Sequence, residues 1–337
     1  MQAIILAAGE GSRMRPLTSR LPKAMIPIAG KPLLEHIMLR AKEAGINKFV
    51  LIAGYGAEYI KEHFRDGSSF GVSIDYANQE RQLGTGHALR SAEPFAEDRF
   101  LVLNGDVLPD VDSLKKIVQS EDQAVATIRI ADPTRYGVFL IEGDYLKSVV
   151  EKSLSPPSDM ANTGIYQFSN EIFRALRLVQ LSKRGEYELT DGLNILALKE
   201  KIRIFQLKDW MEIGRPWDIL DANEKLLSEI EPEANGEIEP GATLKGPVSI
   251  GKGTKIGHLC NIGHNTIIGK HCLITSRSIT GGSSRVGDYS QLSLGACIRP
   301  NIEIGKNVIV GMVSLVTENV SDGKIVFGVP AKEQLKH

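Results

Sequence analysis

Two patterns of apolar and polar positions divide the chain. Up to about residue 225, short apolar runs alternate with amphipathic stretches. AIILAA, KFVLIAG, SIDYANQ, RFLVLNGD and AVATIRIAD are of strand length and predict strands. Between them PLLEHIMLRAKEAG, GAEYIKEHFRDG, GHALRSAEPFA and VDSLKKIVQSE carry apolar residues at helical spacing, and most end at glycine, proline or a charge cluster. Alternation of this kind predicts an α/β domain over residues 1–229, with a mainly parallel sheet covered by helices. A last helix, PWDILDANEKLLSEIE, leads into PEANGEIEPG, whose proline, glycine and glutamate mark a linker over 230–237.

From residue 238 to the end at 337 the period becomes six. Stepping by six from Ile238 gives Leu244, Ile250, Ile256, Ile262, Ile268, Ile274, Thr280, Val286, Leu292, Ile298, Ile304, Val310 and Val316, with Thr280 alone breaking the apolar rule. The next residue is very often glycine, as at Gly251, Gly257, Gly263, Gly269, Gly281, Gly287, Gly305 and Gly311. Four residues after the apolar position stands a small side chain, among them Ala242, Thr254, Cys260, Cys272, Ser284, Ser290 and Ala296. One inward aliphatic, a glycine that permits the turn and a second small inward residue make the hexapeptide parallel β-helix pattern.

Composition narrows the class further. With 337 residues, 42% hydrophobic and 24% charged, the chain is that of a soluble protein of two domains. A net charge of −1 supplies no field for nucleic acid or an anionic membrane, so neither is expected as a partner. The sequence opens at once on a predicted strand, without a signal-like stretch, and holds no bilayer-length apolar run, so the cytoplasm is the expected compartment. Cys260, Cys272 and Cys297 are odd in number and form no C-x-x-C pair, which predicts neither a disulfide framework nor a zinc site. Two of them fall on small inward positions of the repeat.

The chemistry gathers first in LAAGEGSRMRPLTSRLPK, residues 6–23. A dinucleotide turn needs a third glycine, which the run Gly9-Glu10-Gly11-Ser12-Arg13-Met14 lacks. No Lys-Ser or Lys-Thr follows at the spacing of a Walker motif. What remains is a loop whose backbone N–H groups can face phosphate, with Arg13 and Lys23 as fixed charges and Pro16, Pro22 and Pro27 as stiffeners. Taken alone, a phosphate cradle and a structural loop stand level.

The longer stretch LAAGEGSRMRPLTSRLPKAMIPIAGKPLLEH closely resembles the signature of the sugar-1-phosphate nucleotidylyltransferases. Further segments resemble that family in its own order. NQERQLGTGHAL looks like its base-recognition loop, VLNGDV its metal-aspartate motif, RYGVFLIE and VVEKS its sugar-binding segments, ANTGIY and EYELTD its sugar-pocket walls, and WMEIGRPWDILDANE its second metal motif. The resemblance covers residues 1 to about 228 and implies a Rossmann-like nucleotidyltransferase domain. It implies that a sugar-phosphate oxygen attacks the α-phosphorus of a nucleoside triphosphate and expels pyrophosphate, by positioning and charge neutralisation.

On that resemblance, Leu6, Ala8, Gly9, Gly11, Ser12 and Arg13 lie against the nucleotide, with Arg13 on the leaving pyrophosphate. Lys23 takes the attacking sugar phosphate and the α-phosphate. Asp106, at the carboxyl end of a strand, is the expected Mg²⁺ ligand, a hard cation preferring carboxylate oxygen. The second metal position usually carries Asp or Asn, whereas here it is Glu212. Gln79, Gly84 and Thr85 match base-contacting positions; glutamine offers a donor and an acceptor to a pyrimidine edge, and UTP and dTTP stay unseparated. Gly137, Glu151, Lys152 and Asn162 match the sugar pocket, with Glu151 and Asn162 towards hydroxyls. Ser153 stands where the family often has proline, so the pocket rim departs from the pattern. Glucose and N-acetylglucosamine 1-phosphates are favoured, and mannose 1-phosphate stays open.

The C-terminal repeats resemble left-handed β-helix acyltransferases through HLCNIGHNTIIGKHCLI and IVGMVSLVTENVSDGKIVFGVPAK. In those families the histidine of IGHN, here His264, deprotonates the attacking amine, with acetyl-CoA as co-substrate. His258, His264 and His271 read equally as exposed coil residues. Apolar coil flanks predict a homotrimer or a multiple of it. Two other readings remain at this point: a mannose-1-phosphate guanylyltransferase, against which LGTGHA speaks, and a nucleotide-sugar-sensing scaffold. Glu212 favours the scaffold, while Arg13, Lys23 and Asp106 oppose it.

Overall fold

The structure, a computed structural model, describes residues 1–228, 233–234 and 236–334. Half of the linker expected at 230–237 lies outside the described residues. The chain forms two compact units, one of Met1–Pro27 with Lys31–Ile219, the other of Ile28–Gly30 with the chain from Leu220 onward.

The first unit is built on nine strands: β1 Gln2–Leu6, β2 Lys48–Ala53, β3 Ser73–Asn78, β4 Arg99–Asn104, β5 Gln123–Arg129, β6 Val138–Glu142, β7 Tyr145–Val150, β8 Met160–Ser169 and β9 Ile202–Gln206. Their order across the sheet is β3-β2-β1-β4-β8-β5-β9-β7-β6. The five strands expected from sequence, β1 to β5, run parallel to one another, while β8 and β7 run against them. The sheet is therefore mixed on its second half.

Both faces are covered, which explains the unbroken apolar runs. Helices α1 Thr85–Ser91, α2 Glu171–Leu176 and α3 Leu189–Ala197 pack on one face, where Ile4, Val50, Val102 and Phe168 join Leu89, Phe173 and Leu193 in a single core. The alternate residues Ile5, Leu51, Leu101 and Leu103 point the other way and are equally buried. Each such side chain removed from water contributes about 1.5–3 kcal/mol. In register, Leu6 of β1 stands beside Ile52 and Asn104. The carboxyl ends of β1 and β4 thus coincide, and the loops that leave them share one crevice.

In the second unit three parallel sheets stack coil on coil, with partners such as Lys255, Leu273, Gln291 and Ile309 eighteen residues apart. The inward positions of the hexad are buried from Ile250 to Val316, whereas Ile238, at the open end, is 36% exposed. Thr280 is tolerated inside because its hydroxyl accepts the Gly263 N–H at 3.3 Å. The small inward residues form a ladder of their own. Thr254, Ser284 and Ser290 each donate to the carbonyl fifteen residues ahead, at 2.7, 3.2 and 2.7 Å. The thiols of Cys260 and Cys272 do the same towards Thr275 and Gly287, at 3.1 and 3.2 Å. Burial holds both thiols above their ordinary pKa.

One expectation is corrected. The glycines after each inward aliphatic do not make the turn, since none of them has positive φ. The left-handed residue comes two places later and is mostly not glycine: Leu259, Asn265, His271, Arg277, Ser283, Tyr289, Asn301, Asn307 and Val313. The glycines answer a different demand. A Cβ on Gly287 would stand 2.6–2.7 Å from Gly305 C and O and Lys306 N of the next coil. Coil stacking, not backbone freedom, excludes a side chain there.

Candidate active site

The loop after β1 folds back on itself before the chain moves on. Gly11, at φ 69, starts a single turn, Ser12–Met14, that carries Arg13 outward. Thr18 Oγ1 donates to Gly11 O at 2.9 Å and pins the return. The stem of Lys23 lies on Gly11, where a Cβ would stand 2.8 Å from Lys23 Cβ, so Gly11 is fixed by both conformation and packing. Gly9 is different. Nothing lies within 4 Å of its missing Cβ, and it borders open space. That space is a cleft of ≈ 350 Å³ whose lining includes Leu6, Ala8, Gly9, Arg13, Lys23, Gln79, Gly84, Thr85 and Asp106. Ser12 and Gly11 are not in its wall.

Lys23 Nζ and Asp106 Oδ2 are 2.6 Å apart at the floor, with the lysine side chain 12% exposed. Asp106 follows β4, and Ile213 N donates to Asp106 O at 2.8 Å. This staples a short ribbon, Val107–Pro109 with Trp210–Glu212, beside it, with Glu212 opposite Val107. Burial pushes the Glu212 carboxyl above its usual range, and the negative charge of Asp106 adds to this. Lys23 and Arg13 offset part of that shift, and Tyr136 hydrogen-bonds Glu212. Tyr136 meets Trp210 edge-on at 5.6 Å, and Trp210 Nε1 donates to Thr163 O at 3.0 Å. Two carboxylates that repel across a partly dry gap suit a divalent cation, which needs only one or two protein carboxylates when phosphates complete its shell. Among the described residues no cluster of three acidic, histidine or cysteine side chains offers an alternative.

On the opposite wall Gln79, 5% exposed, donates from Nε2 to Gly84 O at 3.0 Å and to His87 Nδ1 at 3.1 Å. Gly84, at φ 98, crosses so close to the 186–188 segment that a Cβ would stand 2.7 Å from Tyr187 O. Thr85 Oγ1 accepts the Leu189 N–H at 3.1 Å.

The predicted sugar residues form a second group that adjoins this one. Asn162 N donates to Gly137 O at 2.8 Å, and Lys152 N to Tyr136 O at 3.2 Å. A Cβ on Gly137 would stand 2.8 Å from Glu151 Oε2, so a side chain here would push that carboxylate aside. Arg184, absent from the sequence expectations, ties the two groups together. Its Nη2 lies 2.7 Å from Glu188, 3.5 Å from Glu151 and 3.9 Å from Glu186, the last a wall of the cleft. Gln82 and Asn104 also line the cleft unpredicted, although both sit inside motifs that were recognised.

His264 belongs to the second unit, away from these groups in sequence. It is exposed, its Nδ1 lies 3.2 Å from Asn265 Nδ2, and its ring covers Gly282 of the next coil. His271 stacks on Tyr289 at 5.2 Å, a structural role for that histidine.

Residues 2–229 match the family described as nucleotidyl transferase. The chain belongs to this family. A curated relative, bifunctional protein GlmU of Methanococcus maripaludis (strain C7), is 41% identical over 262 residues, covering 76% of this chain and 62% of the relative. The chain thus spans less than two thirds of that relative's length. UTP--glucose-1-phosphate uridylyltransferase AglF of Haloferax volcanii is 37% identical over 241 residues, 68% of this chain and 98% of the relative. Among solved structures, a putative glucose-1-phosphate thymidylyltransferase from Bacillus anthracis, in complex with a sucrose, superposes with a TM-score of 0.62. It is 30% identical, covering 68% of this chain and 96% of its own. Among the described residues no helix is long and apolar enough to cross a membrane.

Proposed function

We propose that the chain is an NTP:sugar-1-phosphate nucleotidylyltransferase, joining UTP or dTTP to glucose or N-acetylglucosamine 1-phosphate. The observation that carries this reading is the floor of the cleft, where Lys23 pairs with Asp106 at 2.6 Å beside Glu212, with Arg13 on the same wall. The printed names of AglF and the thymidylyltransferase support glucose 1-phosphate. In the reaction an oxygen of the sugar phosphate forms a bond to the α-phosphorus, the bond from that phosphorus to the β-phosphate oxygen breaks, and pyrophosphate leaves. The attacking oxygen is already ionised, so no base is needed and positioning carries the rate. Lys23 draws the attacking phosphate towards the α-phosphate, Arg13 holds the pyrophosphate, and the bare backbone at Gly9 lets the nucleotide approach. Gln79 and Gly84 hold the base, while Gly137, Glu151, Lys152 and Asn162 seat the sugar. Mg²⁺ held by Asp106 and Glu212 would neutralise charge on the phosphates. A pyrophosphate-release assay over four nucleoside triphosphates and the 1-phosphates of glucose, N-acetylglucosamine and mannose tests this. UTP or dTTP with one of the first two sugars is the expected pair, lost on removing Mg²⁺; no release with any pair overturns the reading.

A second activity in the β-helix is favoured by the exposure of His264, whose Nδ1 neighbours Asn265. With acetyl-CoA and an amino-sugar phosphate, His264 would take the proton of the attacking amine. Acetyl-CoA consumption is expected in the parent protein and is expected to vanish in His264→Ala; a parent protein that consumes none leaves the coils as a spine. Exposed Ile279 and Leu315, 45% and 36% open on one outer face, support assembly through the coils as a homotrimer.

A further inference from the structure

The setting of one buried amide limits which bases the cleft can read. Gln79 Nε2 lies 3.0 Å from Gly84 O, and a carbonyl oxygen can only accept. The amide orientation is therefore fixed by chemistry, not by a choice between two similar atoms. The same Nε2 lies 3.1 Å from His87 Nδ1, so that ring nitrogen must accept as well, and the imidazole carries its proton on Nε2. Both amide protons are spent. Oε1 makes no hydrogen bond among the described residues and belongs to a side chain that lines the cleft. His87 is itself half-buried and stacks on Tyr187, with ring centroids 6.4 Å apart.

We infer that His87 sets base selectivity as a positioning residue, locking Gln79 so that this amide offers the base an acceptor and no donor. Such a site accepts bases with an imino N–H on the pairing edge: uracil, thymine and, where size permits, guanine. It rejects cytosine and adenine, whose corresponding ring nitrogens are acceptors and would face Oε1 lone pair to lone pair. The proposal rests on the nucleotide reading of the cleft but not on turnover. It also sharpens the sequence expectation, in which glutamine supplied both a donor and an acceptor.

The test is equilibrium binding of UTP and CTP to the full chain, repeated with His87→Phe and His87→Asn. Phenylalanine keeps the ring against Tyr187 and removes the acceptor; asparagine places an oxygen near the position of Nδ1. The parent protein is expected to prefer UTP, and 3-methyluridine triphosphate, which lacks the imino proton, to bind as poorly as CTP. Loss of one of two anchoring hydrogen bonds is expected to narrow the UTP-to-CTP ratio about five- to tenfold in His87→Phe. His87→Asn is expected to restore the parental ratio. A merely structural role for His87 would weaken both nucleotides alike and leave the ratio unchanged. An unchanged ratio in His87→Phe, or no preference in the parent protein, overturns the proposal. A parent protein that prefers UTP yet releases no pyrophosphate keeps this inference and removes the transfer reading; binding of neither nucleotide removes both.

Discussion

Replacing Lys23 by methionine is expected to lower kcat/KM for nucleotidylyl transfer by about 10²–10³-fold, the usual effect of deleting one preorganised charge or donor. Methionine keeps the unbranched stem that packs over Gly11, so the loop should hold its course. The ammonium, 2.6 Å from Asp106, does two opposed things. It neutralises a carboxylate that is meant for a cation, and it attracts the phosphates. Mg²⁺ affinity, measured by calorimetry, should therefore be equal to or tighter than that of the parent protein while turnover collapses. A variant in which Mg²⁺ affinity falls together with rate would instead place Lys23 in the support of the metal site. Circular dichroism of the variant checks that the sheet is retained.

Replacing Gly287 by alanine is expected to cost the β-helix about 3 kcal/mol, near the upper range for overpacking a core. The added methyl would stand 2.6–2.7 Å from three backbone atoms of the neighbouring coil, none of which is a flexible side-chain end. The coils must part there or the residue must rotate out of register. Gly295→Ala provides the contrast. Gly295 has φ 69, yet a Cβ there meets only Val313 Cγ2 at 3.7 Å, and equivalent corners already hold Leu259 and Val313 in the same conformation. Its cost is expected to be about 1 kcal/mol or less. Urea unfolding followed by circular dichroism separates the two. The chain's tryptophans, Trp210 and Trp217, lie outside the repeats, so their fluorescence follows the first unit instead. Equal costs for both glycines would defeat the stacking argument.

These two glycines show what sequence patterning could and could not deliver. The six-residue period was legible because inward positions repeat in type, from Ile250 to Val316. The reason for the glycine beside them was not, since the constraint comes from a coil eighteen residues away. In the first unit, strands flanked by turns and helices were readable from β1 to β5. Strands β6, β7 and β8 were read only through motif segments, and β9 was not read at all. YLKSVV and IRIFQ owe their strand character to partners distant in the chain, and periodicity cannot see partners. The cleft was legible in outline, since Arg13, Lys23 and Asp106, singled out from sequence, all line it. Arg184, Glu186, Gln82 and Asn104 were not singled out, because their meaning is convergence: residues far apart in number meet at one cleft. The amide of Gln79 was named but its direction was hidden, as direction belongs to neighbours.

The eighteen-residue offset between stacked partners carries a consequence for how this protein can change in length. From Glu237 to Val316 each rung meets the next at this offset, so that stretch of the β-helix is a ruler graduated in units of eighteen. Excising one circuit, for example residues 256–273, would bring Lys255 next to Ile274 and leave each remaining seam, hydroxyl ladder and glycine contact with a counterpart of its own kind. Excising fifteen residues would set faces against corners, and excising twelve would keep the six-residue phase but move every later strand to another of the three sheets. Length in this half of the molecule is quantised, and evolution or an engineer can shorten or extend it in steps of one full circuit.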